Sequence, residues 1–261
     1  MPRALVTGAS AGLGAQYAEQ LARSGYDLIL VARGEDRLQA LAGTLTGRFG
    51  GRCDVLPADL STPEGLALVE GRVASDDEPV DLLVNNAGFG TKGEFLASPV
   101  ESEQQMLDVN VTALMRLCHA ALPGMVRRGT GGVINVASVA AFLPSDTGPG
   151  YAASKAYVVA FTDSLAVTLQ GTGVHVSVVC PGFVRTEFHE RIEQDVSWIP
   201  RWAWLKAPEV VATSLRDHRA GRHRSVPSVK YKSVVQVLRV VPRAALRRVL
   251  VKSRALQHRP D

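Results

Sequence analysis

Cysteine is scarce in this 261-residue chain. Its three cysteines, Cys53, Cys118 and Cys180, are widely separated and odd in number. That pattern excludes a disulfide framework and offers no metal-binding spacing, so the thiols read as reduced, buried side chains. No other His, Cys, Asp and Glu residues fall at ligand spacing, and no metal is expected. No stretch is both apolar and free of charge over the ~18 residues that a spanning helix needs. The start, MPRALVTGAS, lacks a basic region followed by a long apolar run, so no signal peptide is expected. Internal repeats and low-complexity linkers are also missing. These absences lead to the expectation of a cytoplasmic globular protein without metal chemistry.

What is present is an apolar, glycine-containing chain: 46% of residues are hydrophobic and 24 are glycine. The length suits one large α/β domain with a substantial core. Short β-branched runs at 4–8, 27–32, 53–58, 81–88, 132–138 and 174–180 are bounded by Gly, Pro or polar residues and read as buried strands. Helical periodicity lies between them, over 13–24, 35–46, 63–74, 101–128 and 151–170. Strands alternating with helices predict βαβ units and a doubly wound parallel sheet, the Rossmann architecture.

The first strand runs into TGASAGLG, Thr7 to Gly14, and then a helix. Gly8, Gly12 and Gly14 permit a tight turn and close approach of backbone to a ligand. The helix behind them offers free N–H groups and a positive dipole end to a phosphate. This places a dinucleotide site at the first βα turn. An NAD site usually has an acid at the tip of the second strand. Here Ala32 and Arg33 stand there. A guanidinium suits a 2′-phosphate, which points to NADP(H). Glu35 and Asp36 are the alternative ribose ligands, although both also suit the first turn of a helix. Asp59 and Leu60 follow the third strand, where an adenine would lie, and Asp59 reads equally as a cap of the next turn. NNAG, Asn85 to Gly88, ends the fourth strand on the ligand side of an open sheet, or simply makes a turn.

YAASK, Tyr151 to Lys155, puts a phenol and an ammonium four residues apart on one helix face. A cation beside a phenol favours the phenolate and lowers its pKa from about 10. That yields the expectation of a tyrosine able to exchange protons near neutral pH.

TGASAGLG, NNAG, Ser138 at a strand end, Tyr151-x-x-x-Lys155 and Cys180-Pro181-Gly182 with Thr186 follow one another in order. Over residues 3–190 the chain resembles the short-chain dehydrogenase/reductase family, in its shorter single-domain branch. The resemblance implies Tyr151 as catalytic acid/base, and Lys155 as the group that lowers its pKa and binds the nicotinamide ribose. It implies Ser138 as the residue that orients the substrate oxygen, and Asn110 as support for a proton-relaying water. It further implies cofactor contacts at Gly8, Ser10, Gly12, Leu13, Gly14, Arg33, Asp59, Leu60, Asn86, Ala87, Gly88, Tyr151, Lys155, Pro181, Gly182, Val184 and Thr186. The implied chemistry is hydride transfer between NADP(H) and a carbonyl or alcohol, in a homo-oligomer. A nucleotide-binding regulatory or redox-sensing protein is the alternative. The TGxxxGxG spacing and short C-terminal region disfavour a sugar-nucleotide epimerase.

Substrate choice should reside in the loop 140–149 and in a lid over about 185–208. Phe188, Trp198, Trp202 and Trp204 belong to that lid, either lining an apolar pocket for a lipophilic ketone or aldehyde or packing the lid onto the core. His119, His175 and His189 read as packing or surface residues. The body, 1–228, is followed by a basic amphipathic segment, 229–261, that Pro242 interrupts. From Arg216 to the end there are 13 Lys and Arg against two acids, about +11, while the rest carries 16 against 23, about −7. The segment suits peripheral contact with an anionic membrane, an oligomer interface or a cover over the pocket. Nucleic-acid binding has no motif to support it.

Overall fold

The computed structural model describes residues 1–92, 95–144, 148–188, 196–197, 199–242 and 244–248. The strands are β1 (Arg3–Thr7), β2 (Asp27–Ala32), β3 (Cys53–Pro57), β4 (Leu82–Asn85), β5 (Gly131–Val136), β6 (Val174–Val179) and β7 (Arg224–Ser225). They form one sheet in the order β3-β2-β1-β4-β5-β6-β7, and each pairing is parallel. The helices are α1 (Gly12–Arg23), α2 (Glu35–Phe49), α3 (Pro63–Ala74), α4 (Val100–Arg128), α5 (Pro149–Thr168), α6 (Ala207–Arg219) and α7 (Val229–Val240). The doubly wound parallel sheet is the fold expected from the alternation of strands and helices.

Both faces of the sheet are covered, and the period-2 pleat divides the core between them. On β1 and β2, Leu5, Ile29 and Val31 join one cluster with Val69, Leu117 and Val158 from α3, α4 and α5. Ala4, Val6, Leu28 and Leu30 face the other, with Tyr17, Leu38 and Val211 from α1, α2 and α6. The Tyr17 hydroxyl donates to Ser214 Oγ at 2.6 Å, joining α1 to α6 inside that layer. α4 is long and apolar enough, by length and composition alone, to cross a bilayer. Here its apolar residues Leu114, Leu117, Cys118, Ala121, Leu122 and Met125 are buried in the domain.

Several boundaries differ from the sequence pattern; α2 runs on to Phe49, for example, and β4 stops at Asn85. α5 begins at Pro149, two residues early, because proline is accepted in the first helical turn, where its missing N–H costs nothing. The sheet also gains a seventh, edge strand, β7, only two residues long. Pro227 cannot donate to a sheet ladder, and the chain turns there into α7. The switch in strand order between β2-β1 and β4-β5 opens a crevice at the carboxyl ends of β1 and β4.

Candidate active site

The glycine turn lies in that crevice. Gly8 and Gly12 hold φ of +64° and +54°, a region in which an L side chain is strained. A Cβ at Gly14 would stand 2.1 Å from the Gly8 carbonyl oxygen, so helix and turn meet without room for one methyl group. Ala11, at the N-cap of α1, supplies no side-chain cap, which leaves the first amides of the helix for an anion. Ser10 is half-buried in the turn. These features fit a dinucleotide.

A residue not singled out from sequence fixes the turn. Thr7 Oγ1 accepts the N–H groups of Asn86 and Ala87, both at 3.0 Å, and donates to the Val84 carbonyl at 3.3 Å. Asn86 Nδ2 returns bonds to the carbonyls of Thr7 at 2.9 Å and Gly8 at 3.3 Å. The Asn86 side chain is thus spent on the architecture of the glycine turn. Thr186, from beyond β6, lies on its other side, 3.3 Å from where a Gly12 Cβ would be. Leu13 packs with Val184, which is buried and bridged to Leu205.

At the tips of β2 and β3, the Arg33 side chain is 71% exposed and its guanidinium stands 4.0 Å from Asp59 Oδ2. Glu35 and Asp36 occupy the first turn of α2. The helix α3 is capped by Thr62 Oγ1, which accepts the Gly65 N–H at 3.1 Å. Asp59 caps the turn before α3, its Oδ1 accepting the N–H and hydroxyl of Ser61 at 2.9 and 2.7 Å. Partial burial works to raise its pKa, but these bonds and Arg33 outweigh it, and the net displacement is downward. Leu60 is a core side chain, 7% exposed.

The four polar residues of the expected reaction centre converge from three places: Ser138 after β5, Asn110 on α4, and Tyr151 with Lys155 on α5. Ser138, half-buried after β5, accepts the Ala140 N–H at 3.1 Å and hydrogen-bonds the Tyr151 phenol. Lys155, one turn along α5 from Tyr151, donates to the Val136 carbonyl at 3.0 Å and lies 5.7 Å from the Tyr151 ring centre. Asn110 sits in a π-helical stretch of α4, Asp108–Ala113, an irregularity that the sequence pattern does not announce. Its amide accepts the Phe89 N–H at 3.0 Å and donates to the Phe89 carbonyl at 2.9 Å and to Ser154 Oγ at 3.1 Å. Asn110 Oδ1 and Lys155 Nζ both crowd Gly88, 2.9 and 3.1 Å from the place of its absent Cβ. Pro181 closes the group, its carbonyl accepting the Val139 N–H at 2.9 Å.

The expected low phenol pKa is not what the site holds. Burial pushes Tyr151 up to about 12, with the Ser138 bond opposing, and pushes Lys155 down to about 8. Removal from water disfavours the charged form of each, and that outweighs the attraction anticipated from helical spacing. The lysine makes stability depend on pH in a defined direction. Between its folded value near 8 and its ordinary 10.5, the unfolded chain binds more protons, so its contribution to stability rises with pH across that window. Tyr151 acts in the opposite sense, but only above pH 10, because its folded value lies above its ordinary 10.0. Melting temperatures measured between pH 8 and 10 should therefore climb more steeply in the wild type than in Lys155→Met. Equal slopes would refute the burial argument.

Of the lid aromatics, Phe188 reaches the site, its ring centre 5.7 Å from that of Tyr151. Trp204 packs on Phe183 at 5.9 Å, whereas Trp202 is 67% exposed. Trp198 and His189 lie outside the described residues. The His175 ring lies tilted against those of His218 and His223, with centres 4.8 and 5.2 Å away, apart from the reaction centre. Burial holds the Cys118 and Cys180 thiols up at about 12.

A profile of the short chain dehydrogenases matches residues 2–197. The oxidoreductase UcpA of Salmonella typhimurium is 37% identical over 190 residues, 72% of each chain. The solved short-chain dehydrogenase from Sphingobium yanoikuyae in complex with NADPH superposes with a TM-score of 0.85 at 35% identity, covering 97% of this chain and 96% of that one. The bulky-bulky ketone specific alcohol dehydrogenase from Comamonas testosteroni gives 0.79 at 29% identity, over 100% and 96%. A family member from Burkholderia phymatum solved with NAD gives 0.78 at 26% identity, over 90% and 92%.

Proposed function

The chain belongs to the short-chain dehydrogenase/reductase family, and from that premise we propose that it is an NADP(H)-dependent oxidoreductase acting on a lipophilic ketone or aldehyde, or on the corresponding alcohol. The observation that carries this reading is the convergence of Ser138, Tyr151, Lys155 and Asn110 beside a glycine turn shaped for a dinucleotide. A purely regulatory nucleotide-binding role needs no such convergence and is not favoured.

NADPH, when bound, supplies the hydride. As hydride reaches a carbonyl carbon, charge grows on the oxygen and must meet donors already in place. Ser138 and Tyr151 are those donors. A phenol held near 12 is fully protonated at neutral pH, so it can hydrogen-bond the carbonyl and then give up its proton as the oxygen becomes basic. Lys155, held near 8, is mostly an ammonium at pH 7, and its charge steadies the phenolate left behind. Asn110 fixes the Phe89 backbone and Ser154 around that lysine.

The NADP(H) preference rests on Arg33, exposed at the β2 tip where an NAD-selective site would carry an acid. A hydrogen bond to a charged phosphate is worth about 1.5–3 kcal/mol. Arg33→Ala should therefore raise the KM for NADPH by roughly ten- to a hundredfold and leave that for NADH nearly unchanged. Equal effects on both cofactors would remove Arg33 from phosphate recognition. The lipophilic substrate rests on Phe188 beside Tyr151, and gains support from the bulky ketones named for the Comamonas relative. A homo-oligomer is supported by an apolar groove of about 690 Å³ between α4 and α5, lined by Met115, Leu122, Val126, Phe161 and Leu165.

The direct test is consumption of NADPH by the purified protein with aldehydes and ketones of graded chain length, and NADH as control. Turnover rising with chain length is expected. Failure of every carbonyl to react, with NADPH bound, would overturn the reading.

A further inference from the structure

The start of α7, the first described turn of the basic C-terminal segment, grips the substrate side of the site. Tyr231 fills the space that a side chain on Gly182 would need: a Cβ there would lie 2.1 Å from Tyr231 Cζ and 2.2 Å from Cε2. Its hydroxyl accepts the Phe183 N–H at 3.3 Å and donates to the Ala203 carbonyl at 2.8 Å. The two strands of chain so joined are already clipped together further along. Leu205 N–H donates to the Phe183 carbonyl at 2.8 Å, and Arg185 N–H to the Leu205 carbonyl at 3.1 Å. Lys230 adds a second hold, its Nζ 5.2 Å from the Trp202 ring centre. One turn beyond Tyr231, Val235 is 2% exposed and belongs to the main core, so the grip has a fixed base. On the other side, Pro181 is bonded to Val139, next to Ser138.

We propose that Tyr231 is a positioning residue: it pins the Pro181–Phe183 loop after β6 to the Arg201–Ala203 turn at the foot of the lid, and so sets the geometry in which substrate meets Ser138 and Tyr151. The C-terminal segment then contributes to substrate binding through this one side chain, without touching the reacting atoms. The inference rests on the carbonyl reductase reading for its kinetic consequence, but not for its structural one.

Tyr231→Phe keeps the ring in its seat against Gly182 and removes both hydrogen bonds. Loss of such bonds corresponds to about a three- to tenfold change in local opening. Hydrogen exchange of the full-length protein should accelerate by that factor over 182–188 and 202–206, and stay unchanged over β1 to β5. In steady-state assays the KM for the carbonyl should rise by about three- to tenfold, with kcat within about twofold. Unchanged exchange at the two segments would overturn the proposal whatever the kinetics. Faster exchange with an unaltered carbonyl KM in an active enzyme would reduce Tyr231 to a packing residue and overturn it as well. If the wild type reduces no carbonyl, the proposed activity fails, and the exchange measurement still decides whether Tyr231 pins the lid.

Discussion

Tyr151→Phe is expected to lower kcat/KM by about three orders of magnitude, since a positioned acid contributes roughly 10²–10⁴-fold. The phenyl ring can keep its contact with Phe188, 5.7 Å away, so the walls of the site should persist. What disappears is the hydroxyl that bonds Ser138 and carries the proton. Affinity for NADPH, followed by quenching of protein fluorescence, should change by no more than about twofold, because the glycine turn lies on other elements. A variant that retained a tenth of the activity would mean that another group supplies the proton. Loss of cofactor binding together with turnover would mean that Tyr151 holds the architecture rather than the reaction.

Gly14→Ala should also be damaging, by a different route. The added methyl would meet the Gly8 carbonyl oxygen at 2.1 Å and Asn86 Nδ2 at 2.7 Å. The first obstacle is backbone, so α1 or the turn must move. Overpacking of this kind costs about 1–3 kcal/mol. If the turn absorbs the displacement, affinity for NADPH should fall by roughly ten- to a hundredfold. If the helix absorbs it, the melting temperature should drop instead, and calorimetry with and without NADPH separates the two. Gly43→Ala makes a suitable control, because a Cβ there has no neighbour within 4 Å. A Gly14→Ala variant with native stability and native affinity would contradict the close approach of helix and turn.

Most of the architecture could be read from the sequence because its signals are local. A β-branched run bounded by glycine or proline becomes a buried parallel strand, and β2 and the start of α3 fall where the pattern puts them. The glycine turn and the Tyr151–Lys155 pair are equally local, one a matter of sterics and the other of helical period. Contacts between distant positions carried no such signal. Thr7 is 79 residues from Asn86, Asn110 is 44 from Ser154, and Tyr231 is 48 from Phe183. Nothing in KYK, residues 230–232, indicates that its tyrosine seats on Gly182. The phenol's pKa failed to follow from spacing for a related reason. Helical period fixes which residues are neighbours, but desolvation depends on everything packed around them. The described part of the basic C-terminal stretch was likewise ambiguous until Tyr231 and Val235 proved to turn toward the body.

The hydrogen bonds from Thr7 and Asn86 complete the glycine turn with protein groups alone. A nucleotide therefore meets a surface that is already folded, and binding need not be coupled to ordering of the chain. In linkage terms, its effect on stability reduces to RT ln(1 + [L]/Kd), with no folding contribution mixed in. The shift in unfolding free energy caused by a given nucleotide then serves as a measure of its affinity, and nucleotides can be ranked against this protein without a substrate present.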